Sequence, residues 1–143
     1  MKRILGLLAI ILFCPLLVTS SLAGDITVTD PWVREAPPGA KATAAYMTIS
    51  NTSSRTVQLD SAASADFGMI EMHRTEMHDG MAHMKKQTGI RIEAGKNVQL
   101  KPGDFHLMLM QPHRSLKAGD QCALQLRFDN GESIAVQALV RKQ

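Results

Sequence analysis

Phe105-His106-Leu107-Met108-Leu109-Met110 is a run with a period of two. Successive side chains of a strand point to opposite faces, so Phe105, Leu107 and Leu109 share one face and His106, Met108 and Met110 share the other. One face is pure hydrocarbon; the other carries nitrogen and sulfur donors. The run therefore predicts a strand with two chemically different sides.

The same alternation recurs in both directions along the chain. Short runs of this kind are found at residues 26–28, 32–34, 43–50, 55–61, 67–77, 81–86, 90–92, 97–100, 120–128 and 132–140. The last is the plainest, with Ile134, Val136, Ala138 and Val140 alternating with Ala135, Gln137, Leu139 and Arg141. Between the runs sit turn formers, among them Pro37-Pro38-Gly39, Asn51-Thr52-Ser53-Ser54, Asp79-Gly80, Pro102-Gly103 and Asp129-Asn130-Gly131. Many short strands with close turn punctuation predict an all-β sandwich or barrel in one domain. No stretch of ten or more residues has helical periodicity, and there is no internal repeat or linker.

The stretch from Met69 to Met110 holds seven of the nine methionines and four of the five histidines, and no cysteine. Thioether sulfur favours Cu(I), and imidazole accepts either oxidation state of copper. Methionine also fills irregular cores, so placement decides between the two. His78-Asp79-Gly80-Met81 predicts a tight hairpin, because Asp-Gly is a strong two-residue turn signal. In that register His78 faces Met81 and Thr75 faces Met84. His73, Met77 and Met84 then share one face, while Glu76, His78, Met81 and His83 take the other. His73 and Met84 become diagonal neighbours roughly 7–8 Å apart. A three-residue loop with a bulge would break this pairing. Strand alternation adds His106 and Met108 to the donor set and leaves Met110 open.

The spacing His73-x10-Met84-x21-His106-x-Met108 resembles the signature of the periplasmic copper chaperones that assist assembly of the dinuclear copper centre of cytochrome c oxidase, the PCu(A)C-like family. Trp32-Val33-Arg34-Glu35-Ala36-Pro37-Pro38-Gly39, Ala45-Tyr46-Met47 and Asn51 resemble that family too, so the likeness covers nearly all of residues 24–143. It implies a cupredoxin-like Greek-key β-sandwich that binds one Cu(I) per chain through His73, Met84, His106 and Met108. It also implies residence in the periplasm and delivery to a copper-accepting protein, a cytochrome c oxidase subunit or another copper-delivery factor. A copper buffer or resistance protein without a dedicated recipient is the alternative.

Residues 1–23 have the form of a secretory signal, with Lys2 and Arg3 before the apolar run Ile4 to Val18 and a small-residue cleavage site at Ser21-Leu22-Ala23. The run is about fifteen residues, short of the roughly 20 a spanning helix needs. Cleavage after Ala23 leaves a domain of residues 24–143 with no membrane span, expected to be a monomer; an uncleaved anchor is the alternative, because no charge appears until Asp25. Cys14 follows bulky Phe13 and precedes Pro15, which speaks against lipidation. Removing Lys2 and Arg3 lowers the net charge from +3 to +1. With no basic cluster longer than Lys85-Lys86 and few aromatic residues, a nucleic-acid surface is not expected. Cys122 is then the one remaining cysteine, so no internal disulfide forms. It alternates in register with Leu124, Leu126 and Phe128, which predicts a buried core thiol.

No nucleophile turn, paired-carboxylate motif, phosphate loop or His-rich hydrolytic motif is present, and a four-ligand site leaves no open position for substrate. An enzyme is not expected. The plain expectations for other residues are a packing role for Trp32, a core position for Met47, a solvated Arg34–Glu35 pair and an exposed His113. His78, Met81 and His83 are expected to form an exposed polar hairpin tip, with a transfer surface or a second weak site as the sharper readings. Glu71 shares a strand face with His73 and is either a surface carboxylate or the group that orients its imidazole.

Overall fold

The described residues run through ten strands in close succession: β1 (Ile26–Arg34), β2 (Ala42–Asn51), β3 (Val57–Ala63), β4 (Phe67–His78), β5 (Met81–Lys86), β6 (Ile90–Ile92), β7 (Asn97–Leu100), β8 (Phe105–Pro112), β9 (Gln121–Phe128) and β10 (Ser133–Arg141). The computed structural model describes residues 24–143. The export segment predicted for residues 1–23, with Cys14, lies outside the described residues. Among the described residues no helix is long and apolar enough to cross a membrane.

Nine strands form one hydrogen-bonded path in the order β5-β4-β8-β2-β1-β10-β9-β3-β6, and β7 joins at β2. Among the described residues only β1 and β10 run parallel; every other pairing among them is antiparallel. Strand β2 is shared along its length. Ala42 to Ala45 pair with β8, and Met47 to Ser50 pair with β7. The sheet thereby folds back on itself, with β3 against β4 and β6 against β2 and β7, as a cupredoxin-like β-sandwich.

Alternation places the core. Leu107 and Leu109 of β8 are fully buried, together with Ala45 and Ile49 of β2, Val33 of β1, Leu59 of β3, Leu124 and Leu126 of β9, and Val140 of β10. Each fully buried aliphatic side chain contributes about 1.5–3 kcal/mol, so the hydrocarbon face of the Phe105–Met110 run is what fixes the outward direction of its donors. Cys122 is buried in this core, as its register with Leu124 and Leu126 predicts. Met47 is core as well.

Two local features connect the sequence to this path. Residues 26–28 and 32–34, read separately in the sequence, form one strand with a bulge between Thr29 and Trp32. Pro31 has no N–H for the ladder, and Asp30 absorbs the step at φ 48° while accepting a 2.6 Å hydrogen bond from Arg141 of β10. Asn51, predicted as a turn former, is 1% exposed. Its amide donates to the carbonyls of Arg55 at 2.7 Å and Ile92 at 3.1 Å, and its oxygen accepts from Ser53. One side chain thus ties the end of β2 to the end of β6.

Candidate metal centre

The centre is built on β4 and its two neighbours. Asp79 and Gly80 both have positive φ, 50° and 75°, the conformation a two-residue type I′ hairpin requires. The turn fixes the β4–β5 register, and His78↔Met81 and Thr75↔Met84 are the observed pairs. Across the other edge of β4, His73 pairs with His106 and Glu71 with Met108. Residues opposite one another share a face, so His73, Met84, His106 and Met108 all project from the side of the sheet opposite Leu107 and Leu109. Met69 and Met110, also register partners, lie on this side too. His78, Met81 and His83 lie on the other side of the hairpin, with the two imidazole rings 6.5 Å apart.

The rings of His73 and His106 are 5.9 Å apart between centroids. Each has one nitrogen engaged. His106 is 4% exposed, and its Nδ1 lies 3.0 Å from the carbonyl oxygen of Asp104. A carbonyl only accepts, so this nitrogen carries the proton, and in the neutral ring Nε2 carries the lone pair. For His73 the arrangement is reversed. Nε2 is 2.9 Å from a Glu71 carboxylate oxygen, whose other oxygen accepts from Lys86 at 2.5 Å. Hydrogen bonds from His73 and then Lys86 hold the Glu71 carboxyl below the usual carboxylate range, so it is ionised and accepts the Nε2 proton. The His73 Nδ1 lone pair is left buried with no partner among the described residues. Glu71 is therefore the group that orients the imidazole rather than a free surface carboxylate.

A cleft of about 350 Å³ adjoins the pair, lined by Met84, His106 and Met108 with Thr75, Ala44, Tyr46 and Gly103. Tyr46 backs it. Its ring lies 6.4 Å from that of His106 and 4.6 Å from that of Trp32, and burial raises its hydroxyl pKa. Trp32 is half-buried in this stack. The solvated Arg34–Glu35 pair expected from the sequence is not formed. Arg34 lies over the Tyr46 ring at 5.5 Å, while Glu35 turns away to accept from the Ala118 amide at 3.0 Å. Neighbouring strand residues point to opposite faces, which separates them. His113 is exposed, as expected, and bonded to the Ala65 carbonyl.

The donor set fits a soft cation. With metal–nitrogen bonds of about 2 Å, two imidazoles on one ion have centroids roughly 5–6.5 Å apart, and the 5.9 Å found here lies within that range. Among the described residues no group of three or more His, Cys, Asp or Glu side chains converges on a metal-sized site. The groups that lie on the same face as His73 and His106 and line the adjoining cleft are the thioethers of Met84 and Met108.

The four residues singled out in the sequence come to one face of the sheet, and the structure adds three supports that the sequence did not show. The Asp104 carbonyl carries no side-chain signal. Lys86 is visible only once the register places it opposite His73. The Tyr46 wall depends on β1 lying beside β2.

Comparison with known proteins places the chain in a family. Residues 26–140 match the family described as Putative lipoprotein LpqE-like. The chain is 33% identical over 120 residues to Putative lipoprotein Lxx21020 of Leifsonia xyli subsp. xyli, an alignment covering 83% of this chain and 71% of that protein. Among solved structures it is similar to CuI-DR1885 from Deinococcus radiodurans, with 31% identity and a TM-score of 0.65 over 88% of this chain and 83% of that one. The copper-bound PCuAC domain from PmoF2 shares the fold, with a TM-score of 0.73 at 22% identity, covering 84% of this chain and 95% of that domain. The match over nearly the whole described region shows that the chain belongs to the LpqE-like family.

Proposed function

We propose that this protein is a copper chaperone of the periplasm. It carries one Cu(I) between His73 Nδ1, His106 Nε2 and the sulfurs of Met84 and Met108, and passes it to a copper-accepting protein such as a cytochrome c oxidase subunit or another delivery factor. The observation that carries this reading is the pair of imidazoles, each with one nitrogen tied to the protein and the other left as a lone pair beside two thioethers. The likeness to a relative solved with Cu(I) supports it.

Four neutral donors leave the bound ion with a charge of +1. Thioethers are soft enough to favour Cu(I) over Cu(II), and the absence of a thiolate keeps ligand exchange open. Met84 sits on β5, at one end of the sheet, and is 61% exposed. It is the donor a partner's ligand can displace first, while the buried His106 holds on longest. Copper is cargo here, so the protein's own work is to fix two nitrogens and leave one sulfur loose. The test is a Cu(I) titration under reducing conditions against a competing chelator, with X-ray absorption to count neighbours. Two nitrogen and two sulfur scatterers at one copper per chain are expected; an all-nitrogen or oxygen shell would refute the assignment. Transfer is tested by mixing loaded protein with an apo oxidase copper domain and following copper between the separated proteins.

A further inference from the structure

Methionine is distributed unusually over the surface. Five large hydrophobic side chains are exposed among the described residues, and four of them are methionines of β4 and β5: Met69, Met77, Met81 and Met84. These four lie on two adjacent strands instead of singly over the surface, and such a grouping is where an interaction site is looked for. Met84 is accounted for above. Met69 is not. It is 42% exposed and is the direct register partner of Met110, while the next pair along the same face is Glu71 with Met108. Met69, Met108 and Met110 therefore sit at three adjacent positions on one face of two neighbouring strands.

Directly opposed residues have Cβ atoms about 4.5–5.5 Å apart and diagonal ones roughly 7–8 Å. Methionine has three rotatable bonds beyond the backbone, so three sulfurs placed this way can meet at one point. On its far side Met110 faces Ala42 of β2, whose methyl leaves the thioether room to turn. A plain cross-strand apolar pair would be served as well by leucine at both positions, whereas methionine at three adjacent positions puts a sulfur at each.

We propose that Met69, Met108 and Met110 form a second coordination site, made of thioethers alone, for a soft monovalent cation such as Cu(I) or Ag(I). It shares Met108 with the four-donor centre. The sharing rests on the copper reading given above; the thioether site itself does not. Three neutral sulfurs match the preference of such ions for soft ligands and hold them less firmly than imidazole does. The trio is then a station where cargo moves on or off the imidazole pair by exchanging one ligand at a time around Met108. No bond to protein is made or broken other than metal–ligand contacts, and no electron is transferred.

Silver is the probe, because Ag(I) is soft and does not change oxidation state. The purified protein, labelled with ¹³C at the methionine methyls, is titrated with Ag(I) as wild type, as His73→Ala/His106→Ala, and as that variant with Met69→Leu/Met110→Leu added. In the variant without imidazoles, the methyl signals of Met69, Met108 and Met110 are expected to shift together and saturate near one equivalent. Adding the leucine pair is expected to weaken binding at least tenfold. Leucine conserves volume, and an unchanged amide spectrum checks the fold. The proposal is overturned if the Met69 and Met110 methyls stay unmoved, or if they move no more than those of exposed Met77 and Met81. Failure of the four-donor reading looks different: wild-type protein would then show no shift at Met84, whatever Met69 and Met110 do.

Discussion

His73 and His106 stand directly opposite one another on β4 and β8, yet their imidazoles are fixed through different nitrogens. A carboxylate holds Nε2 of the first, and a main-chain carbonyl holds Nδ1 of the second. The carbonyl cannot be removed by mutation of a side chain, but the carboxylate can. The two histidines therefore differ in how they respond to substitution nearby.

Replacing Glu71 with Gln removes the charged acceptor of the His73 Nε2 proton and frees Lys86. Loss of such an outer partner typically lowers metal affinity 10–100-fold. Glu71→Gln is expected to weaken Cu(I) binding by about that factor, and His73→Ala by more. Competition with a chelator measures both; an unchanged affinity for Glu71→Gln would leave the carboxylate without a part in binding.

Replacing Met84 and Met108 with Leu keeps volume and removes soft donors. Cu(I) affinity is expected to fall by at least tenfold for each, with a much smaller change for Cu(II), since thioethers discriminate by softness. Equal losses for the two oxidation states would remove both sulfurs from the coordination shell.

The Asp66 carboxyl is held below the usual carboxylate range chiefly by its hydrogen bonds from Arg114, at 2.6 and 3.1 Å. A depressed folded value contributes stability above the unfolded carboxyl pKa of about 3.9, and that contribution is lost as pH falls through the folded value. Asp66→Asn is expected to cost about 1 kcal/mol near neutrality, the scale of an exposed bidentate pair. Denaturant midpoints of the two proteins should converge well below pH 4. A gap that stayed constant into strong acid would place the effect in packing instead.

Asn51→Leu removes an amide that donates to the carbonyls of Arg55, Ile92 and Glu93 and an oxygen that accepts from Ser53, all near the junction of β2 with β6. Stranded buried polar groups cost about 1–3 kcal/mol each. A loss of at least 2 kcal/mol in chemical unfolding is expected, with copper affinity of the folded protein unchanged. Affinity falling in parallel with stability would show that the site depends on this end of the sandwich.

Much of the arrangement was legible in the residues themselves. The alternation of Phe105 to Met110 carried the strand and its two faces, because burial of Leu107 and Leu109 leaves the intervening donors no other direction. Asp79-Gly80 carried the β4–β5 register, because few other residue pairs accept positive φ twice in succession. What stayed hidden depended on contacts between distant segments. Asn51 looks like any turn residue until Ile92 comes within reach, and Arg34 looks solvated until Tyr46 lies beneath it. The pairing of β4 with β8 was likewise out of reach of local pattern, yet it alone makes His73 and His106 neighbours.

The position of Cys122 has a further result. Its sulfhydryl is fully buried, and burial pushes its pKa upward, so it stays protonated and out of contact with solvent. Thiolate is the form that peroxide and redox-active ions attack. The chain's one described thiol is thereby sheltered from oxidative damage and from cross-linking to a second molecule.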